Sequence, residues 1–156
     1  MRKLLLLVIL TLSTCICFSQ NSFKKNAVYG ELAGQGLWLS ANYERQLSGK
    51  PGFGIHIGGS WGNIKPIIST GCNYLFKLKK KDKSFVEAGA GLTLTEASFL
   101  SLKEVYNNNY TGLFIPSIGY RHHTHYGLMW KIVYSPAFSS VRTIPFDGGF
   151  SLGWRF

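Results

Sequence analysis

Only three cysteines occur in 156 residues, and two of them, Cys15 and Cys17, fall in an N-terminal stretch with the layout of a leader. Cys72 is then left alone, which excludes an internal disulfide framework. Also missing is an apolar run of the roughly 20 residues that a helical membrane span needs. The longest, Leu4 to Leu12, is preceded by Arg2 and Lys3 and followed by small and polar residues from Ser13 to Gln20. That order is a secretory signal peptide. Cleavage is expected after Ser19, with Cys17 and Ser19 as the small residues three and one positions before the cut. Residues 1–19 would leave, and residues 20–156 would form one domain. A lipoprotein reading competes, because Leu12-Ser13-Thr14-Cys15 loosely matches a lipidation box, although Thr is a poor residue before an acylated Cys.

Negative charge is scarce. Seven Asp and Glu face seventeen Lys and Arg, a net charge of +10. In a soluble fold such an excess would point to nucleic acid or an anionic lipid surface. Export sets nucleic acid aside.

A helical period is also lacking after the leader. Apolar and polar residues alternate between Gly, Pro, Asn and Lys punctuation, which means β-structure. Eight runs stand out: Asn26 to Gly34, Leu37 to Leu47, Phe53 to Gly62, Ile67 to Lys77, Phe85 to Thr95, Tyr110 to Arg121, Gly127 to Ser135 and Gly148 to Phe156. Most are about as long as a tilted strand that crosses a bilayer, 9 to 11 residues.

The two faces of these runs differ sharply. Leu37, Leu39, Ala41 and Tyr43 oppose Trp38, Ser40, Asn42, Glu44 and Gln46, while Phe53, Ile55, Ile57 and Trp61 oppose Gly54, His56, Gly58 and Ser60. Val86, Ala88, Ala90, Leu92 and Leu94 oppose Glu87, Gly89, Gly91 and Thr93. A soluble sandwich or barrel produces the same alternation. Two features favour lipid against the oily face. The polar faces are rich in glycine, which suits a crowded narrow interior. Large aromatics also gather near strand ends, at Tyr43, Phe53, Trp61, Tyr74, Phe76, Tyr120, Tyr134, Trp154 and Phe156, where interfacial girdles belong. The expected fold is all-β, an eight-stranded antiparallel up-and-down transmembrane β-barrel.

The ending Phe-Ser-Leu-Gly-Trp-Arg-Phe at Phe150 to Phe156 resembles the C-terminal assembly signal of bacterial outer-membrane barrels, with Phe150, Leu152 and Trp154 alternating back from Phe156. Tyr29 to Gly36, Ala41 to Arg45 and Gly119 to Arg121 add short stretches similar to a group of small, mostly uncharacterised eight-stranded barrel proteins of Gram-negative outer membranes. The resemblance covers nearly the whole mature chain. It implies fold, outer-membrane location and handling by the barrel-assembly machinery, and it carries no catalytic residue.

An even-stranded barrel of this kind has both termini in the periplasm, with three turns there and four loops outside. The turns would be Ser48 to Gly52, Leu78 to Ser84 and His122 to Tyr126. The outer loops would lie near Gln35, from Asn63 to Pro66, from Glu96 to Asn109 and from Pro136 to Asp147. The last two are long and are the expected surfaces for a ligand.

Glu31, Glu44, Glu87, Arg121, Lys131 and Arg155 all fall on the inward parity. An eight-stranded barrel is just wide enough to be filled by side chains, and buried ions must be paired or strongly hydrogen-bonded. A neutral, plugged interior is expected instead of an open pore. At the periplasmic end Lys24, Lys25, Arg45, Lys50, Lys77, Lys79, Lys80, Lys81 and Lys83 face Asp82 alone. The outer loops balance Lys65, Lys103 and Arg142 against Glu96, Glu104 and Asp147. The basic rim reads as a solvated edge or as an attraction to anionic lipid.

Chemistry is sparse. His122, His123 and His125 in one turn could ligate a metal but lack a fourth ligand, so no metal and no cofactor are expected. Ser60 and His56 share a face but lie four residues apart, roughly 13 Å along a strand, too far for a nucleophile and its base. Gly30, Gly34 and Gly36 precede no helix and so make no phosphate loop. The expected role is structural or surface-interacting, without catalysis. Two alternatives stay open: a lipid-modifying outer-membrane enzyme acting on lipid A, and a soluble periplasmic barrel with an apolar ligand in its mouth.

Overall fold

In a computed structural model, the described residues are 23–61, 65–78, 83–96, 110–140, 143–145 and 147–156. The leader with Cys15 and Cys17, the lysines 79–81 with Asp82, the charges Lys103, Glu104 and Arg142, and nearly all of the loop 96–109 lie outside them.

The described residues form eight strands: β1 Asn26–Leu32, β2 Leu39–Gln46, β3 Phe53–Trp61, β4 Pro66–Lys77, β5 Ser84–Glu96, β6 Tyr110–His123, β7 Leu128–Tyr134 and β8 Gly148–Arg155. Each pairs antiparallel with the next, and β8 returns to pair with β1, so the sheet closes into an up-and-down barrel. At this seam Ala27 faces Arg155 and Leu32 faces Phe150. The ladder continues one residue further, where the backbones of Asn26 and Phe156 exchange hydrogen bonds of 3.1 and 2.9 Å.

Alternation along the sequence becomes inside and outside. In β2 the polar Ser40, Asn42, Glu44 and Gln46 are buried, and Leu39, Ala41, Tyr43 and Arg45 are exposed. In β8 Ser151 and Arg155 point inward, and Phe150, Leu152 and Trp154 outward. The outer wall is therefore apolar. Ile57, Leu92 and Ile132 leave more than half of their surface uncovered, at 56, 59 and 55 %. Aromatic side chains ring both ends of this wall: Phe53, Tyr74, Phe76, Tyr120, Trp154 and Phe156 at the end where β1 begins and β8 finishes, and Trp38, Trp61, Tyr110 and Tyr134 at the other.

Inward glycines make room for the polar side chains. A Cβ at Gly71 would stand 2.5 Å from the Ala90 carbonyl oxygen and 2.7 Å from both the Gly91 Cα and the His56 ring. Side-chain volume at this level is already spent on His56.

Three connections depart from the sequence expectation. The first is residues 33–38, expected as an outer loop beginning beyond Gly34. β1 instead stops at Leu32 and β2 starts at Leu39, because Ala33, Gly34 and Leu37 adopt φ of 59°, 72° and 70°. For Ala and Leu this left-handed region is strained. It turns the chain into the barrel mouth, where the 3-10 turn Gly34–Gly36 is buried. The second is the turn expected at 122–126. β6 runs through His122 and His123, paired with Trp130 and Met129, and the reversal falls at 124–127 around Gly127 with φ 119°. The third is the loop 136–147, part of which folds back. Ala137 bridges Ile144, and Phe138 bridges Phe114 on β6. Ala137 thereby packs with Leu113 and Ile115, with Leu37 and Ile144 against them, as an apolar cap inside the loop end.

Candidate functional site in the barrel interior

The candidate site is a column of polar side chains on the barrel axis. Its centre is Arg121 on β6, only 1 % exposed. Its guanidinium donates two hydrogen bonds to Glu44 on β2, 2.6 Å from Nη1 to Oε1 and 2.5 Å from Nη2 to Oε2. Its Nε lies 2.5 Å from Glu87 Oε2 on β5, an ion pair without hydrogen-bond alignment. One cation thus joins two carboxylates from different parts of the wall, in the fork geometry that arginine provides. Lys131 on β7 adds the second cation, 3.4 Å from Glu87 Oε1. Its ammonium also stands 4.5 Å above the Tyr29 ring, a cation–π contact strengthened by burial.

Amides complete the centre. Gln46 donates to Glu44 at 2.9 Å, and Asn73 donates to Glu87 at 3.2 Å. Buried ions lose hydration worth several kcal/mol each, and only pairing together with such extra hydrogen bonds offsets the loss.

Glu31 and Arg155 stand apart from this network. Alternation puts both inside, but on the β1–β8 seam Glu31 faces Ser151 while Arg155 faces Ala27. Four residues along a strand separate them, about 13 Å. Asn42 donates to Glu31 at 3.5 Å. Arg155 donates to the Lys24 carbonyl and covers the Phe23 ring at 4.5 Å.

Towards the loop end, the inward turn places Gln35 in the lumen. Its Oε1 lies 2.5 Å from His56 Nε2, its amide reaches Ser117 Oγ at 3.4 Å, and its carbonyl accepts from Thr93 Oγ1 at 2.8 Å. The short β1–β2 connection thus bonds to β3, β5 and β6 from within. Asp147, just before β8, accepts from the backbone N–H groups of Gly34 and Gly148; burial pushes its carboxyl above the ordinary value in spite of those bonds. At the opposite end the Phe85 and His123 rings meet at a tilt of 46° with centroids 4.6 Å apart, and Ala27, Tyr29 and Met129 form a small buried cluster.

Ser60 and His56 do not meet. Ser60 donates to the Gly36 carbonyl at 2.9 Å while His56 engages Gln35. The three histidines of the expected turn diverge, because two of them belong to a strand. His122 bonds to Ser84 at 3.1 Å, His123 points into the barrel, and His125 lies 2.6 Å from Lys83. Among the described residues no His, Cys, Asp and Glu group could hold a metal ion. Tyr29, Gln35 and the apolar cap were not singled out from sequence. Tyr29 shares the inward parity of Glu31, and the cap leaves a trace in Leu113-Phe114-Ile115, where apolar residues occupy both faces of β6.

No protein-family model matches this chain, and no curated protein matches it. Among solved structures it is similar to the crystal structure of the N-terminal β-barrel domain of Pseudomonas aeruginosa OprF, with a TM-score of 0.58 and 12% identity over 88% of this chain and 98% of that one. At that identity the likeness is one of fold, and the chain is an eight-stranded barrel of the architecture seen in that domain.

Proposed function

We propose that this chain is a small outer-membrane barrel with a structural or surface-interacting role and a closed interior, not a pore and not an enzyme. The observation that carries the reading is the inversion of polarity across the wall. Polar and charged side chains, Glu44, Glu87, Arg121 and Lys131 among them, are buried inside, while Ile, Leu, Val and aromatic side chains stand uncovered around the outside. Soluble monomers rarely expose contiguous apolar patches above a few hundred Å², and an apolar band between aromatic girdles is what a bilayer requires of a spanning barrel. The fold likeness to the OprF barrel domain supports the same reading. Export through the leader at residues 1–19, insertion by the barrel-assembly machinery, and ligand contact at the loops 96–109 and 136–147 belong to this proposal. The separation of Ser60 from His56 weighs against the acylase or deacylase alternative, and the apolar cap over the loop end against a mouth that takes an apolar ligand.

Burial supports the closed interior. Arg121, Glu44, Leu75, Met129, Leu113 and Ile115 point inward and are at most 2 % exposed, whereas a water column would wet them. The expected results are recovery in the outer-membrane fraction after carbonate washing, a gel mobility that changes only on boiling, and no sustained conductance in planar bilayers. Release by carbonate would refute the membrane reading. Stable porin-like openings from the pure, heat-modifiable protein would refute the closed interior alone.

A further inference from the structure

The described charges are unevenly distributed along the barrel axis. Lys25, Arg45, Lys50, Lys77 and Lys83 are exposed at the end where β1 begins and β8 finishes, and no described acidic residue lies on that rim. On one side of the barrel this basic rim meets a shaped surface. Lys50, Pro51, Tyr74, Phe76 and Lys77 border a groove of about 490 Å³, in which two lysines accompany an aromatic pair whose rings are 4.6 Å apart. Higher on the same wall a second furrow of about 490 Å³ lies over Cys72 and Ala90, walled by Tyr43, Ile55, Leu92 and Phe114. Strand β4 links them, with Cys72, Tyr74 and Phe76 in succession on its outer face. From Lys77 to Cys72 is five residues, about 16 Å. Along a strand tilted by about 40° this is roughly 12 Å of depth, most of one leaflet of a hydrocarbon core of about 30 Å.

We propose that the outer wall of β3–β5 holds one anionic phospholipid of the inner leaflet, with its phosphate between Lys50 and Lys77 and an acyl chain in the furrow over Cys72 and Ala90. The inference rests on the membrane reading above, which puts the termini and this rim in the periplasm. Charge selects the occupant. Two ammonium groups with no described acid beside them favour a headgroup of net negative charge over a zwitterionic one, and each lysine near a membrane surface contributes to that preference. The furrow adds what a diffuse basic rim lacks, a fixed place for the chain and so a preference for a lipid over a free anion.

The test uses the full mature chain, folded in mixed micelles of phosphatidylglycerol and phosphatidylcholine, with retained lipid counted by native mass spectrometry. Phosphatidylglycerol should be enriched on the barrel. The double substitution Lys50→Gln and Lys77→Gln should reduce that enrichment about tenfold or more, on the scale expected for two surface lysines. Ala90→Phe, which fills the furrow without altering charge, should also lower retention. Lys24→Gln with Lys25→Gln removes equal charge from the β1 side of the rim, away from the groove and the furrow, and should leave most of the enrichment in place. Inorganic phosphate should not displace the lipid. An equal loss in the control pair would overturn the site in favour of diffuse attraction, and competition by phosphate would overturn the role of the furrow. A heat-modifiable barrel with no preference between the lipids would overturn the inference and leave the membrane reading standing. A chain that forms no such barrel in either lipid would end both.

Discussion

Replacing Arg121 by Leu is expected to destabilise the barrel by about 3–5 kcal/mol, because it leaves Glu44 and Glu87 buried around an apolar side chain. Both carboxylates lie within 2.5 Å of the guanidinium, and of the two Lys131 pairs directly with Glu87, at 3.4 Å. The measurement is the urea midpoint of the folded, heat-modifiable form in detergent. Adding Glu44→Gln to Arg121→Leu should recover part of the loss, since it removes the charge left without a counter-ion. A lysine at 121 should fall between, because an ammonium cannot fork across two oxygens of Glu44 while facing Glu87. An unchanged midpoint for Arg121→Leu would show that the guanidinium faces water, and the buried column would have to be redrawn.

Deleting Phe156 should separate assembly from stability. Its ring is exposed on the outer wall, and its backbone exchanges two hydrogen bonds with Asn26 at the seam. Losing them should lower the stability of refolded protein by only about 1–3 kcal/mol. In cells the effect should be much larger. If Phe150, Leu152, Trp154 and Phe156 form the outward face read by the assembly machinery, the truncated chain should yield little folded protein in the outer-membrane fraction and leave degraded material in the periplasm. Equal folded amounts of intact and truncated chain at matched expression would remove the C-terminal signal from the account. An open seam in hydrocarbon would leave backbone groups unsatisfied at several kcal/mol each, so the seam itself should survive the loss of one terminal residue.

Strand positions were legible because one physical requirement, a face of each polarity, recurs at every second residue within most of the eight strands. The same parity places Glu44, Glu87, Arg121 and Lys131 inside, yet it cannot say which of them meet. That depends on how β2, β5, β6 and β7 lie across the closed sheet, and the sequence separation between Glu44 and Arg121, 77 residues, conceals it. Parity carried two residues further would have put His123 inside and dissolved the histidine turn. The inward fold of Gln35 had no such signal. Gly34 and Gly36 are as suitable for an outward loop as for a buried turn, and only the contacts with His56, Ser117 and Thr93 decide the direction.

The grip of Arg121 on β2 and β5, and of Gln35 on β3, β5 and β6, has a mechanical consequence. A cylinder held only by the hydrogen bonds around its circumference flattens easily into an oval, because bending each ladder a little costs little. Struts that run across the diameter resist that distortion, and a densely packed interior transmits load with little compression. Lateral pressure on one side of this barrel would therefore be carried straight through to the opposite wall, as in a spoked wheel, instead of being absorbed by a change in the outline of the sheet.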